Sequence, residues 1–249
     1  MSVCPACSSF GYAFKVVASF GGEHSIHKCS SCRMEYVNPM PSVQLLNDFY
    51  SSYEDVRAGT EVLKRNASKN VDRLIQYGLT TQSKLLDYGS GKNIFVSGSG
   101  ENWFAYDPHT RNNDISVLRG GYYDIVTVWG VLEHVTDPLD LVRRLYALLK
   151  KGGYLVMTTV DIDGVIPYRF KPPEHLTYWT REAVSSLFKL SLFDLISYDP
   201  YFMIQDKNVY MDIILRTLPS KLKQTVHYED MPDFVAVPTN EVWIIGRKY

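Results

Sequence analysis

The sequence lacks the features that mark a membrane protein or a nucleic-acid-binding protein. None of its 249 residues belongs to an apolar run near the roughly 20 residues that a membrane-spanning helix needs. With 26 basic and 27 acidic residues the formal net charge is -1, so there is no basic excess to hold a phosphate backbone. The start, MSVCPACSSF, lacks the basic flank and apolar core of a secretory signal. We therefore predict a cytoplasmic protein with no membrane partner, and nucleic acid is disfavoured as a partner.

Cysteine is scarce and confined to the beginning of the chain. The sequence has four, in two C-x-x-C pairs that residues 8–28 separate: Cys4, Cys7, Cys29 and Cys32. Two tight turns with two thiolates each can close a tetrahedral structural zinc site with no position left for water or substrate. A reducing cytoplasm favours metal ligation over disulfides, and four free thiols or a redox pair are the alternatives. His24 and His27 lie between the pairs and are predicted to be surface side chains rather than ligands.

The pattern of apolar runs divides the chain into three parts. Residues 1–40 predict short hairpins around the cysteines, and residues 41–80 predict a polar helical connector. Over residues 81–249 short buried strands alternate with amphipathic helices, which predicts a doubly wound, mostly parallel α/β sheet. The stretch 201–240 fits this alternation poorly and is predicted to be an insertion or cap. The final run, EVWIIGRK, alternates in the manner of an edge strand.

Two consecutive predicted strands end in residues that suit a nucleotide-like cofactor. LLDYGSG ends in a turn whose Gly89 and Gly91 let the backbone approach a ligand, and a helix starting there would offer N–H groups to a carboxylate. WFAYDP ends at Asp107, where a carboxylate can accept hydrogen bonds from both hydroxyls of a ribose. Ile94 stands where a dinucleotide-binding motif needs its last glycine, which disfavours a nicotinamide cofactor. The alternative is a plain glycine turn, with Asp107 as a helix cap before Pro108.

These motifs together resemble those of class I S-adenosylmethionine-dependent methyltransferases. DYGSG is similar to the first motif of that family, and YDIVTVWGVLEHVTDPLDLVRRLYALLKKGGYLVMTT is similar to its fourth strand, following helix and fifth strand. The paired cysteines followed by EYVNPMPS, and the later PPEHLTYWTREAVSSLF, resemble a zinc-ribbon-bearing branch that includes deoxysugar C-methyltransferases. The resemblance implies a Rossmann-like methyltransferase domain preceded by a small four-cysteine zinc-binding module.

The resemblance assigns cofactor-binding roles to residues at the ends of three strands. It implies that the first motif lines the methionine end of S-adenosylmethionine and that Asp107 holds the ribose. The end of the YDIVTVWGV strand would border the methyl-donor pocket, with Glu133 and His134 just behind it. The implied cofactor-binding residues are Asp87, Tyr88, Gly89, Ser90, Gly91, Asp107, Pro108, Trp129, Gly130 and Val131.

The cofactor side of the sequence departs from the family pattern in two ways. Asn93 replaces the third glycine of the first motif; it tolerates unusual backbone angles but adds bulk. The spans 92–102 and 108–121 are short, so the helix after the first strand, and the helix and strand after Asp107, are predicted to be trimmed or absent. A non-catalytic cofactor-binding protein that kept the fold is therefore an alternative.

The acceptor side offers a candidate base. Methyl transfer from a sulfonium is an in-line displacement, for which an enzyme supplies alignment and, for a hydroxyl or an acidic carbon, a base. His175 suits this role, and the resemblance implies that the Glu174-His175 pair lies at the acceptor site. Tyr178 is a further residue that could face the acceptor. The alternative is that the pair only caps the helix that follows.

The sequence thus predicts a methyltransferase that uses S-adenosylmethionine and acts on a small molecule, such as a nucleotide-linked sugar or a glycan precursor. The competing class is an RNA or protein methyltransferase that docks its substrate through the zinc module. Near-neutral charge and the lack of a Lys/Arg cluster in residues 1–40 argue against that class.

Overall fold

The computed structural model describes residues 2–51, 59–97, 101–110, 113–223 and 227–249. Its strands, in chain order, are β1 (Ser2–Val3), β2 (Phe10–Ser19), β3 (Gly22–Cys29), β4 (Glu35–Val37), β5 (Leu85–Tyr88), β6 (Trp103–Tyr106), β7 (Tyr123–Trp129), β8 (Leu149–Val160), β9 (Thr177–Tyr178), β10 (Phe193–Asp206) and β11 (Phe234–Lys248). Its helices are α1 (Val43–Ser51), α2 (Thr60–Ile75), α3 (Pro138–Leu148), α4 (Arg181–Leu190), α5 (Lys207–Thr217) and α6 (Ser220–Lys223). The strands form two sheets.

The first sheet combines the N-terminal hairpins with a strand from much later in the chain. Its order is β1-β2-β3-β4-β9, and every pairing is antiparallel. Strand β2 comes close to the side chain of Tyr36 at Gly11. A Cβ on Gly11 would lie 2.0 Å from the hydroxyl oxygen of Tyr36, so only glycine fits at this position. The four-cysteine hairpins and the segment after residue 176 are therefore parts of one sheet.

The second sheet is six-stranded and mixed, in the order β10-β11-β8-β7-β5-β6. Strands β6, β5, β7 and β8 run parallel, and β11 runs antiparallel to β8. Strand β10 is antiparallel to β11 and so runs in the same direction as the parallel strands. Helices α3 and α4 pack on one face through Leu141, Leu145, Leu187 and Phe188, and α2 packs on the other through Leu74. The predicted Rossmann-like α/β fold is confirmed.

The prediction that the final run is an edge strand is wrong. Strand β11 lies between β8 and β10, and its central residues 242–245 are buried without exception. A strand covered on both faces has a continuous apolar run rather than an alternating one. The charged residues Glu241 and Arg247, at the two ends of that run, produced the apparent alternation.

The predicted trimming on the cofactor side is confirmed within the described residues. Residues 91–97 form turns rather than a helix, and residues 113–122 contain one 3-10 turn, Ile115–Val117. Residues 98–100 and 111–112 of the two short spans lie outside the described residues. As a result β6 is the edge strand of the second sheet on this side.

The stretch 201–240 lies largely within a long hairpin. Strand β10 continues to Asp206 and β11 begins at Phe234, and the two pair over most of their length. Helices α5 and α6 occupy the connection between them. None of the helices in the described parts of the chain combines the length and the apolar character that crossing a bilayer requires.

Candidate active site

A cavity of about 410 Å³ opens where β5, β7 and β8 end. Because these strands are parallel, their carboxyl ends meet at one edge of the sheet, which is where ligands bind in open α/β folds. Helix α2 and the β10–β11 hairpin form the opposite wall. Of the predicted cofactor-binding residues, those that line the cavity are Asp87, Gly89, Ser90, Gly91, Trp129 and Gly130. The other predicted cofactor-binding residues, Tyr88, Asp107, Pro108 and Val131, are not among the described residues that line the cavity.

The glycine turn after β5 adopts left-handed backbone angles. Gly89 has φ +79° and Gly91 has φ +51°. A Cβ on Gly89 would lie 2.4 Å from Cγ2 of Val131, so Val131 packs directly against the turn. Asn93 has φ +60°, a region that asparagine enters more readily than most residues. Asn93, which replaces the third glycine of the family pattern, therefore has a left-handed backbone angle of the kind that glycine adopts without strain.

Asp107 holds the glycine turn against the end of β6. Its Oδ2 accepts a hydrogen bond from the Gly91 N–H at 2.9 Å, and its Oδ1 accepts one from the His109 N–H at 2.8 Å. The N–H groups of Gly89 and Ser90 donate to the carbonyl of Tyr106. Each carboxylate oxygen has two lone pairs and so retains acceptor capacity. Asp107 is thus placed beside the turn, and its largely buried carboxylate oxygens keep lone pairs for further donors.

Asp87 is a buried carboxyl group that faces the cavity. It is 1% exposed, and burial raises its pKa to about 7; a hydrogen bond from Thr127 Oγ1 at 2.8 Å opposes this effect, and the charge of Asp107 adds to it. A cation placed in the cavity would favour the ionised form of Asp87. The sulfonium and ammonium groups of S-adenosylmethionine are cations of this kind.

A carboxylate and two histidines meet at the wall next to the end of β7. Glu133 Oε2 accepts a hydrogen bond from Thr159 Oγ1 at 2.8 Å. The rings of His134 and His175 are perpendicular, with centroids 4.9 Å apart, and His134 Nδ1 lies 3.0 Å from the hydroxyl of Tyr50. One ligand-type atom from each of Glu133, His134 and His175 lies within 4.8 Å of the other two. Such a cluster can accept a proton from a bound group or contribute ligands to a cation.

Glu174 and Tyr178 surround His175 but contact it differently. Glu174 Oε1 lies 3.7 Å from His175 Nε2, although adjacent residues in a regular element would point apart. The Tyr178 hydroxyl donates to the His175 carbonyl at 3.1 Å and accepts from the Lys171 N–H at 2.8 Å. Tyr178 is fully buried, and burial raises its pKa. Tyr178 therefore fixes the backbone of the segment that carries His175.

The four cysteine sulfurs form one cluster. The sulfurs of the first and fourth cysteines are 3.7 Å apart and those of the second and third are 3.5 Å apart. All four lie within 4.8 Å of one another. Tetrahedral zinc with Zn–S bonds of about 2.3 Å places its sulfurs about 3.8 Å apart, which matches these distances. Each C-x-x-C turn ends in a left-handed residue, Ser8 or Arg33.

The two histidines between the cysteine pairs lie outside the sulfur cluster. His24 Nε2 is 2.9 Å from the carbonyl oxygen of Phe20, and His27 Nδ1 is 2.7 Å from Ser2 Oγ. His24 is 8% exposed, so the prediction of a surface position is wrong for that residue. Its contact with the β2–β3 turn gives it a role in the hairpin.

The wall formed by α2 and the β10–β11 hairpin was missed by the sequence analysis. Asn66 on α2 donates to the carbonyl of Ile204 and accepts from its N–H, both at 2.8 Å. Asn70 accepts from the hydroxyl of Tyr201 at 3.1 Å and lines the cavity. The only sequence signal was Asn70 itself, a polar residue on the apolar face of the helix.

The comparison with protein families decides the assignment. A family model described as a methyltransferase domain matches residues 60–198, which is more than half of the chain. This chain belongs to the methyltransferase domain family. The matched range contains the glycine turn, Asp107, the end of β7 and the segment that carries His175.

Individual relatives resemble parts of the chain. The ubiquinone biosynthesis O-methyltransferase of Vibrio parahaemolyticus is 42% identical over 48 residues, which is 19% of this chain and 20% of that protein. The chain therefore matches about a fifth of the length of this relative. The structure of 1,6-didemethyltoxoflavin-N1-methyltransferase from Burkholderia thailandensis, with bound S-adenosylhomocysteine, has a TM-score of 0.51 at 16% identity, over 90% of this chain and 95% of that one. An Archaeoglobus fulgidus S-adenosylmethionine-dependent methyltransferase has a TM-score of 0.50 at 17% identity, over 80% and 99%. These two likenesses establish the fold.

The raised pKa of Asp87 leads to an expected dependence of stability on pH. A folded-state pKa above the unfolded value means that the folded state holds a proton that the unfolded state has lost between about pH 4 and pH 7. The contribution of Asp87 to the free energy of unfolding should therefore fall by up to about 1.4 kcal/mol per pH unit as the pH rises through that window. Asp87→Asn should remove this loss, so that the variant gains stability relative to wild type as the pH rises.

Urea denaturation of both proteins without ligand, at intervals from pH 5 to pH 7.5, measures this difference. Asp230→Asn, at an exposed position, is the matched control and should track wild type at every pH. A difference between Asp87→Asn and wild type that stays constant over the window would show that Asp87 does not titrate there.

Proposed function

We propose that this chain transfers the methyl group of S-adenosylmethionine to a small-molecule acceptor. The observation that carries the proposal is the single cavity that joins the glycine turn after β5 to the histidine wall after β7. One end offers left-handed backbone and a buried carboxyl group, and the other offers a proton acceptor. An in-line displacement needs donor and acceptor in one such space, aligned and shielded from water.

The residues at the glycine end fit the cofactor. Asp87, Gly89, Ser90 and Gly91 would receive the methionine part, while Asp107, beside Tyr88 and Pro108, would accept the ribose hydroxyls. Trp129 lines the cavity, and its Nε1 donor is buried with no hydrogen-bond partner among the described residues. A bound ligand can satisfy that donor, since a buried N–H left unpaired is costly. Gly130 and Val131 would border the methyl group.

The opposite wall suits an acceptor rich in hydroxyl groups. Asn70 and Asn240 present amides to the cavity, and Lys171 contributes a cation near His175. Amides both donate and accept, so they can pair with sugar hydroxyls, and a lysine can pair with a phosphate. A nucleotide-linked sugar or glycan precursor combines these groups. The Burkholderia enzyme is named for 1,6-didemethyltoxoflavin and the Vibrio relative for ubiquinone biosynthesis, and both names refer to small molecules other than sugars.

Binding of S-adenosylhomocysteine is the first expected outcome. Calorimetric titration of the purified chain should show micromolar affinity, and Asp107→Ala should weaken it by at least about tenfold because hydrogen bonds to a charged acceptor are lost. Asp114→Ala, which removes an exposed carboxylate from a nearby loop, is the matched control and should bind as wild type does.

Two results would count against the assignment. Unchanged affinity in a folded Asp107→Ala variant would remove Asp107 from the ribose site. Failure of wild type to bind either S-adenosylmethionine or S-adenosylhomocysteine would exclude both the methyltransferase and the non-catalytic cofactor-binding alternative, and would leave a protein that kept only the fold.

His175 is proposed as the base on the acceptor side. S-adenosylmethionine supplies a methyl group on a positively charged sulfur, and release of that group leaves S-adenosylhomocysteine. His175 would take the proton from the acceptor hydroxyl or acidic carbon as that atom forms its bond to the methyl carbon. Glu174, 3.7 Å from His175 Nε2, would stabilise the protonated ring, and the proton then leaves to solvent. Tyr178 would hold the His175 backbone in place.

His175→Gln should lower turnover by about 100-fold or more, the usual range for loss of a general base, while S-adenosylhomocysteine affinity stays within about twofold of wild type. Release of S-adenosylhomocysteine in the presence of a panel of nucleotide sugars measures turnover. His227→Gln, at an exposed position, is the matched control. Near-normal turnover by His175→Gln would exclude His175 as the base.

We further propose that the four cysteines hold a structural zinc ion. Their sulfur spacing matches tetrahedral coordination, and four protein ligands leave no open position for chemistry. Metal analysis should find one zinc ion per chain, and Cys29→Ser should lower both the zinc content and the melting temperature, since structural zinc contributes folding free energy. A metal-free protein with an unchanged melting temperature would refute the structural role.

A further inference from the structure

The segment that carries His175 is bound on one side to the four-cysteine module and on the other to the end of β7. On the module side, β9 pairs with β4, and the Val37 N–H donates to the Leu176 carbonyl at 2.9 Å. On the cavity side, the Leu176 N–H donates to the Glu133 carbonyl at 2.7 Å. The backbone next to His175 therefore bridges the two sheets, and displacement of either side would move it.

The second cysteine turn contacts the next element directly. The Thr180 hydroxyl donates to the Cys32 carbonyl at 2.6 Å and accepts from the Ala183 N–H at 3.0 Å. The same oxygen thus caps α4 and ties its first turn to a cysteine that belongs to the sulfur cluster. A capping bond of this kind stabilises the start of a helix. The chain on both sides of β9 is in this way attached to the module.

A buried carboxylate of the module contacts the chain that leads to His175. Glu35 is 2% exposed; its Oε1 accepts from Lys28 Nζ at 2.8 Å, and its Oε2 accepts from the Tyr168 hydroxyl. Tyr168 packs against Phe170 and Tyr178, with ring centroids 5.2 Å and 5.6 Å away. Burial and the neighbouring Glu35 raise the pKa of Tyr168, so its hydroxyl keeps the proton that it donates.

The surface contact between the module and the same region contributes less. Arg33 pairs with Asp163 at 2.8 Å and with Glu182 at 3.1 Å, and all three side chains are about half exposed. Exposed ion pairs of this kind contribute little to stability. The β4–β9 backbone pairing and the contacts of the buried Glu35 and Thr180 side chains therefore contribute more to the attachment than the exposed ion pairs do.

We propose that the four-cysteine module supports the acceptor loop, defined as residues 161–178, and that Glu35 is a positioning residue for His175. Glu35 acts through the Tyr168 hydroxyl, the Tyr168 ring positions Tyr178, and the Tyr178 hydroxyl binds the His175 carbonyl. The proposal rests on the proposed function only in treating His175 as part of the active site. The mechanical connection holds whatever the acceptor is.

Hydrogen–deuterium exchange followed by mass spectrometry tests the connection on the full, zinc-loaded chain. Tyr168→Phe removes one hydroxyl and keeps the ring. Loss of a hydrogen bond to a buried charge should make exchange in the acceptor loop about tenfold faster, while peptides covering α3 and β5 exchange as in wild type. Tyr249→Phe removes a hydroxyl that donates to the exposed Asp194 and is the matched control.

Three further measurements separate positioning from general stabilisation. Glu35→Gln keeps an acceptor for Tyr168 and should partly restore the protection that Glu35→Leu loses. Removal of zinc by a chelator should speed exchange in the acceptor loop, and reloading should reverse the effect. Affinity for S-adenosylhomocysteine, measured by calorimetry, should stay within about twofold in Tyr168→Phe because Tyr168 is not among the described residues that line the cavity.

The outcomes are decisive in each direction. Unchanged acceptor-loop exchange in Tyr168→Phe overturns the proposal, as does faster exchange spread evenly over α3, β5 and the loop, which would indicate loss of overall stability alone. A failure of every variant and of wild type to bind S-adenosylhomocysteine would count against the proposed function, while the exchange result would still decide the role of the module.

Discussion

Parallel pairing of β5, β7 and β8 is the constraint on which the rest of the site depends. Because the three strands run the same way, the residues that follow each of them gather at one edge of the sheet. The buried carboxyl of Asp87, the indole of Trp129 and the hydroxyl of Thr158 come together there although 71 positions separate the first from the last. The glycine turn follows directly after β5, and Glu133 and His134 follow shortly after β7, so the sheet determines this side of the cavity while α2 and the β10–β11 hairpin form the other.

Local signals in the sequence were enough to predict the parts of the site that lie within one strand and its following turn. The left-handed turn at Gly89 and Gly91, the acid at Asp107 and the paired cysteines all belong to this group. The pairing of β9 with β4 could not be predicted in this way, because two residues without a periodic pattern join segments that are about 140 positions apart. The α2 wall was missed for the same reason: Asn66 and Asn70 matter only once Ile204 and Tyr201 are opposite them.

The errors and the unassigned roles have physical causes as well. The sequence of β11 is a continuous buried run with a charged residue at each end. This pattern resembles the alternation of an edge strand, and for that reason the predicted edge position of β11 is wrong. His24 has a polar ring, yet its nitrogen bonds a carbonyl in the β2–β3 turn, so burial costs it little. Tyr178 lies three residues after the buried His175, where a tyrosine can either face a ligand or pack inward. Only the packing of Tyr168 and Phe170 around it distinguishes the two positions.

The interior position of β11 has a consequence for how the chain is made. Strand β8 pairs with β7 along one edge and with β11 along the other. The two strands of the second pairing are far apart in the sequence, since Glu241 of β11 lies opposite Val160 of β8, 81 positions earlier. During synthesis one backbone edge of the apolar strand β8 remains unpaired until β11 has left the ribosome. Closure of such a distant pair is slow, and an open strand edge is the part of a nascent chain most prone to aggregate. Translation speed and chaperone access between residues 160 and 241 should therefore influence the yield of folded protein more than the same factors would elsewhere in the chain.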